Sequence, residues 1–219
     1  ADVQAANALL DQTVQKKKLR DHTGPRSDIM TSTSIKENPT TTQILHSAFA
    51  EWFDGLQTEH PTLSKKTMET LAESMRKNMA VRDALLMSGI CAGHSEYDTD
   101  KLREYALNPM RREQLAGWCE RMMKWSFADA GQKVSKGKTA KAIEMLFDIA
   151  ENVESIDVKL QSQPFAVIGY MLWWMGDERA MLCAMRAVAL DEECSLAAIV
   201  VAAIHGDRWP GRDLSLIHI

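Results

Sequence analysis

The chain has 219 residues, 45% of them hydrophobic and 26% charged, with a formal net charge of −4. That composition suits one sizeable core or two small ones, and its charge gives no electrostatic reason to expect nucleic acid or an anionic membrane as a partner. Cys91, Cys119, Cys183 and Cys194 lack regular spacing, which reads as reduced thiols in a cytoplasmic protein rather than a disulfide framework. The N-terminal residues show no secretory pattern and no apolar span reaches membrane length, so no membrane partner is expected.

Residues 1–21 read as a helix, with Val3, Ala6, Leu10 and Val14 on one face, and as the end of a truncated upstream region. Residues 22–41 read as a polar linker. Lys16-Lys17-Lys18 reads as a solvated helix end rather than a nucleic-acid contact, because nothing aromatic accompanies it.

A helical domain is expected over 42–210. Its first stripe is Leu45, Ala48, Phe49, Trp52, Phe53 and Leu56. After Ser64 as N-cap a second stripe follows, Met68, Leu71, Met75 and Met79. Val81 to Ile90 continues the helix or follows a kink. Arg82 and Asp83 interrupt its apolar side and, facing about 100° apart, are expected to bind elsewhere rather than to each other. Gly93 to Asp100 reads as a loop, with Asp100 capping Lys101 to Leu107. Asn108-Pro109 starts a helix to Ala128, whose buried stripe is Leu115, Trp118, Met122 and Trp125. Gly131 to Gly137 reads as a turn, and Thr139 to Val153 as another amphipathic helix.

The stretch Gln163 to His205 is the most apolar. It predicts three closely spaced helices that the rest of the protein must cover: Phe165 to Met175, Glu178 to Leu190, and Leu196 to Ile204 with Ser195 as N-cap. Gly176-Asp177 ends the first and starts the second. Residues 211–219 form a tail. Its end, Ser215 to Ile219, either resembles translated adapter read-through or is a short natural tail after Trp209-Pro210-Gly211.

Phe165, Ile168-Gly169 and Gly176, followed by Ala180, Ala184 and Ala187, resemble one tetratricopeptide-type hairpin. Val81-Arg82-Asp83-Ala84-Leu85-Leu86, Trp173-Trp174-Met175-Gly176-Asp177 and Ser195-Leu196-Ala197 resemble the helical C-terminal half of the domain of unknown function 4192 family over roughly residues 60 to 210. That resemblance implies an actinobacterial, cytoplasmic protein with an α/β half before the helical one. It implies no established activity.

Three motifs carry possible chemistry, and each has a simpler reading. Gly131-Gln132-Lys133-Val134-Ser135-Lys136-Gly137-Lys138-Thr139 nearly spells a phosphate-binding loop, but it has five residues between the glycines where four are needed and follows a helix instead of a strand. Cys91 and His94 have the spacing of two zinc ligands without a second pair. His205 suits the carbonyl end of its helix. No catalytic residue, cofactor or metal site is therefore expected.

Trp173-Trp174 stands out, because adjacent indoles on a helix diverge, so that one borders the core and suits a groove. The expected fold is all-α, an irregular multi-helix bundle with a tetratricopeptide-like hairpin. The expected function is noncatalytic interaction through a groove of Trp173, Trp174, Asp177, Arg179, Arg82 and Asp83. Its partner is a protein or peptide, or the missing N-terminal half. The alternative is the accessory half of an enzyme whose catalytic residues lie in that missing α/β half.

Overall fold

Short polar side chains that meet the free amides of a first turn set the starts of four consecutive helices here. The computed structural model describes residues 39–128 and 133–210. Among the described residues the fold is all-α. The helices are α1 (Pro39–Gly55), α2 (Lys65–Lys77), α3 (Met79–Ile90), α4 (Thr99–Leu107), α5 (Pro109–Ala128) and α6 (Lys133–Glu154), then, after a 3-10 turn at Val158–Gln161, α7 (Ser162–Met175), α8 (Ala180–Leu190) and α9 (Ser195–His205). The expected helix over 1–21, the linker up to residue 38, Gly131-Gln132 and the tail over 211–219 lie outside the described residues. α1 begins at Pro39, inside the stretch read as linker, because proline suits a first helical turn where its missing N–H costs nothing.

The Ser64 hydroxyl accepts from the Thr67 amide at 3.3 Å, and Asn108 Oδ1 accepts from the Met110 amide at 3.1 Å. Both caps are those the sequence predicts. Asn78 is the unexpected one. Its Oδ1 accepts from the Ala80 amide at 3.1 Å and its Nδ2 donates to the Ala106 carbonyl at 3.1 Å, so α2 stops there and α3 starts in a new direction. Met79, expected on the buried stripe of α2, is exposed as a result.

Other boundaries move for similar reasons. Asp98, not Asp100, caps α4, accepting from the amides of Asp100 and Lys101. Cys194 precedes α9 with no side-chain cap, and Ser195 is already helical. α8 starts at Ala180 instead of Glu178. The expected turn ending at Gly137 is helical from Lys133 onward. Trp125 is half-buried against the His94 ring, whereas Leu115, Trp118 and Met122 are buried as expected.

α7 sits at the centre and touches α3, α6, α8 and α9. Its last 11 residues, from Phe165 to Met175, contain no charge, which suits a helix covered on most of its circumference. It ends at Gly176, whose φ of 77° is the left-handed conformation glycine takes without cost. The Asp177 amide there donates to the Leu172 carbonyl at 2.9 Å, closing the helix. The crossing of α7 over α8 depends on small residues. A Cβ on Gly169 would stand 3.1 Å from the Ala184 nitrogen and 3.3 Å from the Ala180 oxygen, and Ala180, Ala184 and Ala187 are fully buried.

Candidate functional site

The six residues expected to form a groove divide into a buried pair of rings and two ion pairs. Trp174 is buried in the core and its Nε1 donates to the Ser126 carbonyl at the end of α5, at 2.8 Å. Trp173 is also buried. Its Nε1 donates to the Arg208 carbonyl at 2.7 Å, and its ring centroid lies 5.2 Å from Tyr170 and 5.8 Å from Phe127 in edge-to-face arrangements. The divergence of adjacent indoles is real, but the chain after α9 covers one and α5 covers the other. Neither indole is left as an open groove wall.

Arg82 and Asp83 do pair with each other, against expectation. The Arg82 Nε and Nη2 reach Asp83 Oδ1 at 2.9 and 2.7 Å. Divergent Cα–Cβ directions do not prevent this, because the arginine stem is long enough to fold back. Arg82 is buried, and a buried guanidinium needs a counter-charge more than it needs ideal helix geometry. Burial pushes the Asp83 carboxyl above its usual range, and Arg82 offsets only part of that rise. Tyr105 is pushed up to about 12 by burial and then by Asp83, while burial and the charges of Cys91 and Asp83 raise Tyr170. At the α7–α8 turn Asp177 pairs with the exposed Arg179 at 2.6 Å. Hydrogen bonding from the Arg179 side chain holds the Asp177 carboxyl below its usual range.

The remaining chemical candidates are structural. Burial pushes the Cys91 thiol up to about 12 and that of Cys119 to about 11, which keeps both protonated and inert as nucleophiles. The His94 Nδ1 accepts from the Glu96 amide at 2.9 Å. Lys133 to Thr139 belongs to α6 rather than to a phosphate loop, and the Thr139 hydroxyl donates to the Gly89 carbonyl at 3.3 Å. Among the described residues no group of three or more His, Cys, Asp or Glu is placed to hold a metal ion.

Between α1 and α2 lies a shallow hydroxyl-rich groove lined by Ser47, Glu51, Ser64, Thr67 and Thr70. Burial raises the Glu51 carboxyl, but donors from Thr67 and Ser64 outweigh it and bring the carboxyl below its usual range. Glu51 accepts from the Ser64 hydroxyl at 2.9 Å and from the Ser64 amide and Thr67 hydroxyl as well. This carboxylate fixes the start of α2.

The surface of α6 to α9 differs. Of the apolar stretch that the rest of the protein was expected to cover, α7 is buried on most of its circumference, whereas α8 and α9 keep an exposed face. Leu182 is 70% exposed and Met185 58%, and Ile199 on α9 is 40% exposed. Leu182, Met185 and Ala189 share one face of α8 at i, i+3 and i+7. Arg186 is the one charged residue of α8, and α9 has none before His205.

This face continues across neighbouring helices. The Arg186 guanidinium lies 5.6 Å over the Phe165 ring of α7, and that ring stands 6.3 Å from Phe147 of α6 in a T-shaped contact. Phe147 is 38% exposed. Glu144, Phe147 and Glu151 follow one another at i, i+3 and i+7 on α6, with Asp148 beside them. Burial, then the charges of Glu144 and Glu151, raise the Asp148 carboxyl. Asp148 and Glu151 also line an open groove of about 460 Å³ with Leu63 and Met68. An apolar strip with an acidic border therefore runs over α8, α7 and α6.

No family model matches the chain, and no curated protein or solved structure shows detectable similarity to it. Among the described residues no helix is long and apolar enough to cross a membrane.

Proposed function

We propose that the chain is a noncatalytic helical interaction module that binds a protein partner through the outward face of α8 and α9 and the adjoining rings of α6 and α7. The exposure of Leu182 and Met185 on one nearly charge-free helix face carries the reading. Exposed apolar side chains scattered singly are ordinary, whereas a contiguous apolar face with aromatic, methionine and arginine members has the composition of an interface. The buried indoles serve this reading as scaffold. They hold α7 against α5 and against the segment after α9, and so fix where Phe165 and α8 stand. Cys91, Cys119, Cys183 and Cys194 are free thiols, which supports a reducing, cytoplasmic setting. Kinship with the domain of unknown function 4192 family is proposed on the strings at Val81 to Leu86, Trp173 to Asp177 and Ser195 to Ala197.

Selection of displayed random peptides against the full chain tests the proposal, with a Leu182→Asp/Met185→Asp variant as the counter-target. Peptides that bind the parent chain and not the variant are the expected result. Enriched peptides that bind both proteins equally would place any interaction elsewhere.

A further inference from the structure

The strip on α6 to α8 has a chemistry that narrows its partner, an inference that rests on the interaction reading above. Its apolar part is Phe147, Phe165, Leu182 and Met185, joined through ring contacts and helix spacing. Its border on α6 is Glu144, Asp148 and Glu151, and two of these three also face the open groove beside Leu63 and Met68. We propose that this strip docks a basic amphipathic helix, whose apolar side lies on Phe147, Leu182 and Met185 and whose Lys or Arg residues stand over Glu144, Asp148 and Glu151.

Charge complementarity favours this occupant. An acidic or neutral helix would leave three carboxylates crowded at the edge of an apolar contact, with their mutual repulsion strengthened as water is excluded. A basic helix relieves that repulsion. Phenylalanine, leucine and methionine side chains supply the adaptable apolar bed that such helices use, with anchors about one helical turn apart. The single cation on the strip, Arg186, packs over the Phe165 ring, which places its charge on the α7–α8 side. The acidic border lies on α6.

The test uses the full chain and three synthetic peptides of about 18 residues, on the order of 27 Å as helices. They share one leucine-rich helical face and carry lysine, glutamate or glutamine on the other. Binding is read by fluorescence anisotropy at low and at physiological salt. The lysine peptide is expected to bind, about tenfold more weakly to a Glu144→Gln/Glu151→Gln variant and about tenfold more weakly to Leu182→Asp. The glutamate peptide is expected not to bind. If the glutamine peptide binds as well as the lysine peptide and depends on Leu182, the basic partner is wrong and the interaction face stands. Lysine-peptide binding that is lost with salt and indifferent to Leu182→Asp would overturn the docked geometry, leaving only diffuse attraction. If none of the three binds, the proposed occupant is wrong, and the peptide selection on the same chain decides separately whether the face binds anything.

Discussion

α5 buries Trp118 and Met122 and α8 buries three alanines in the same core, but the two helices treat water differently. Beyond the exposed Met110 of its first turn, α5 covers its outward face with charge. Lys124 pairs with Glu120 at 2.6 Å, Arg121 with Glu96 at 3.5 Å and Arg111 with Glu104 at 3.4 Å. α2 does the same through Lys77 and Glu73 at 2.8 Å. Such pairs each contribute little to stability, but they keep a helix face soluble and without a partner. α8 instead presents Leu182 and Met185. Both helices pack on one core, so burial alone does not separate them; the outward face does.

If the core is shared, its disruption should destabilise both regions together. Trp174→Ala removes a fully buried indole that joins α7 to α5, and the expected loss is about 4 kcal/mol. Urea unfolding followed by Trp fluorescence and by circular dichroism should show one coincident, shifted transition. Separate transitions would mean that the two regions are independent. Gly169→Val drives new atoms into the α8 backbone beside Ala184, and about 3 kcal/mol should be lost in the same assay.

Glu51→Ala is a smaller perturbation confined to the charged side. It removes the acceptor for Ser64 and Thr67 at the start of α2, at an expected cost of about 1–2 kcal/mol near neutral pH. The pH dependence follows from the lowered carboxyl. A depressed folded-state value means that the contribution is present above the ordinary glutamate range and is lost as pH falls through the folded-state value. Parent and variant stabilities should therefore converge in acid. A difference that persists unchanged below the titration would show that Glu51 acts by packing alone.

Leu182→Asp should have the smallest effect on stability, within about 0.5 kcal/mol, because its side chain is mostly in water already. A loss of several kcal/mol on urea titration would mean that Leu182 belongs to the core, and would erase the contrast with α5.

The sequence makes the helices legible because their apolar residues recur at helical spacing, as at Phe49, Trp52, Phe53 and Leu56 in α1. The caps at Ser64 and Asn108 and the glycine at 176 are equally legible, since each is a local demand of the backbone. A kink before Val81 is legible only as one of two alternatives, because the cap at Asn78 that decides it also bonds the Ala106 carbonyl 28 residues away. The Arg82–Asp83 pair is missed because helix angles describe where side chains leave the backbone and not where their ends meet. The candidate site is less legible still. Trp173 and Trp174 look like groove residues until the Arg208 and Ser126 carbonyls are seen to take their N–H groups. Leu182 and Met185 look like core until their exposure is seen. Apolar content measures how much surface wants to be covered; what covers it is a matter of tertiary structure.

Hydrogen exchange on the full chain, with and without a peptide from the selection, tests the contrast most directly. Added protection is expected in the exchange peptides of α6, α7 and α8, with α2 and α5 unchanged. Protection centred on α2 or α5, or on the segment around Arg82 and Asp83 without α8, would contradict it.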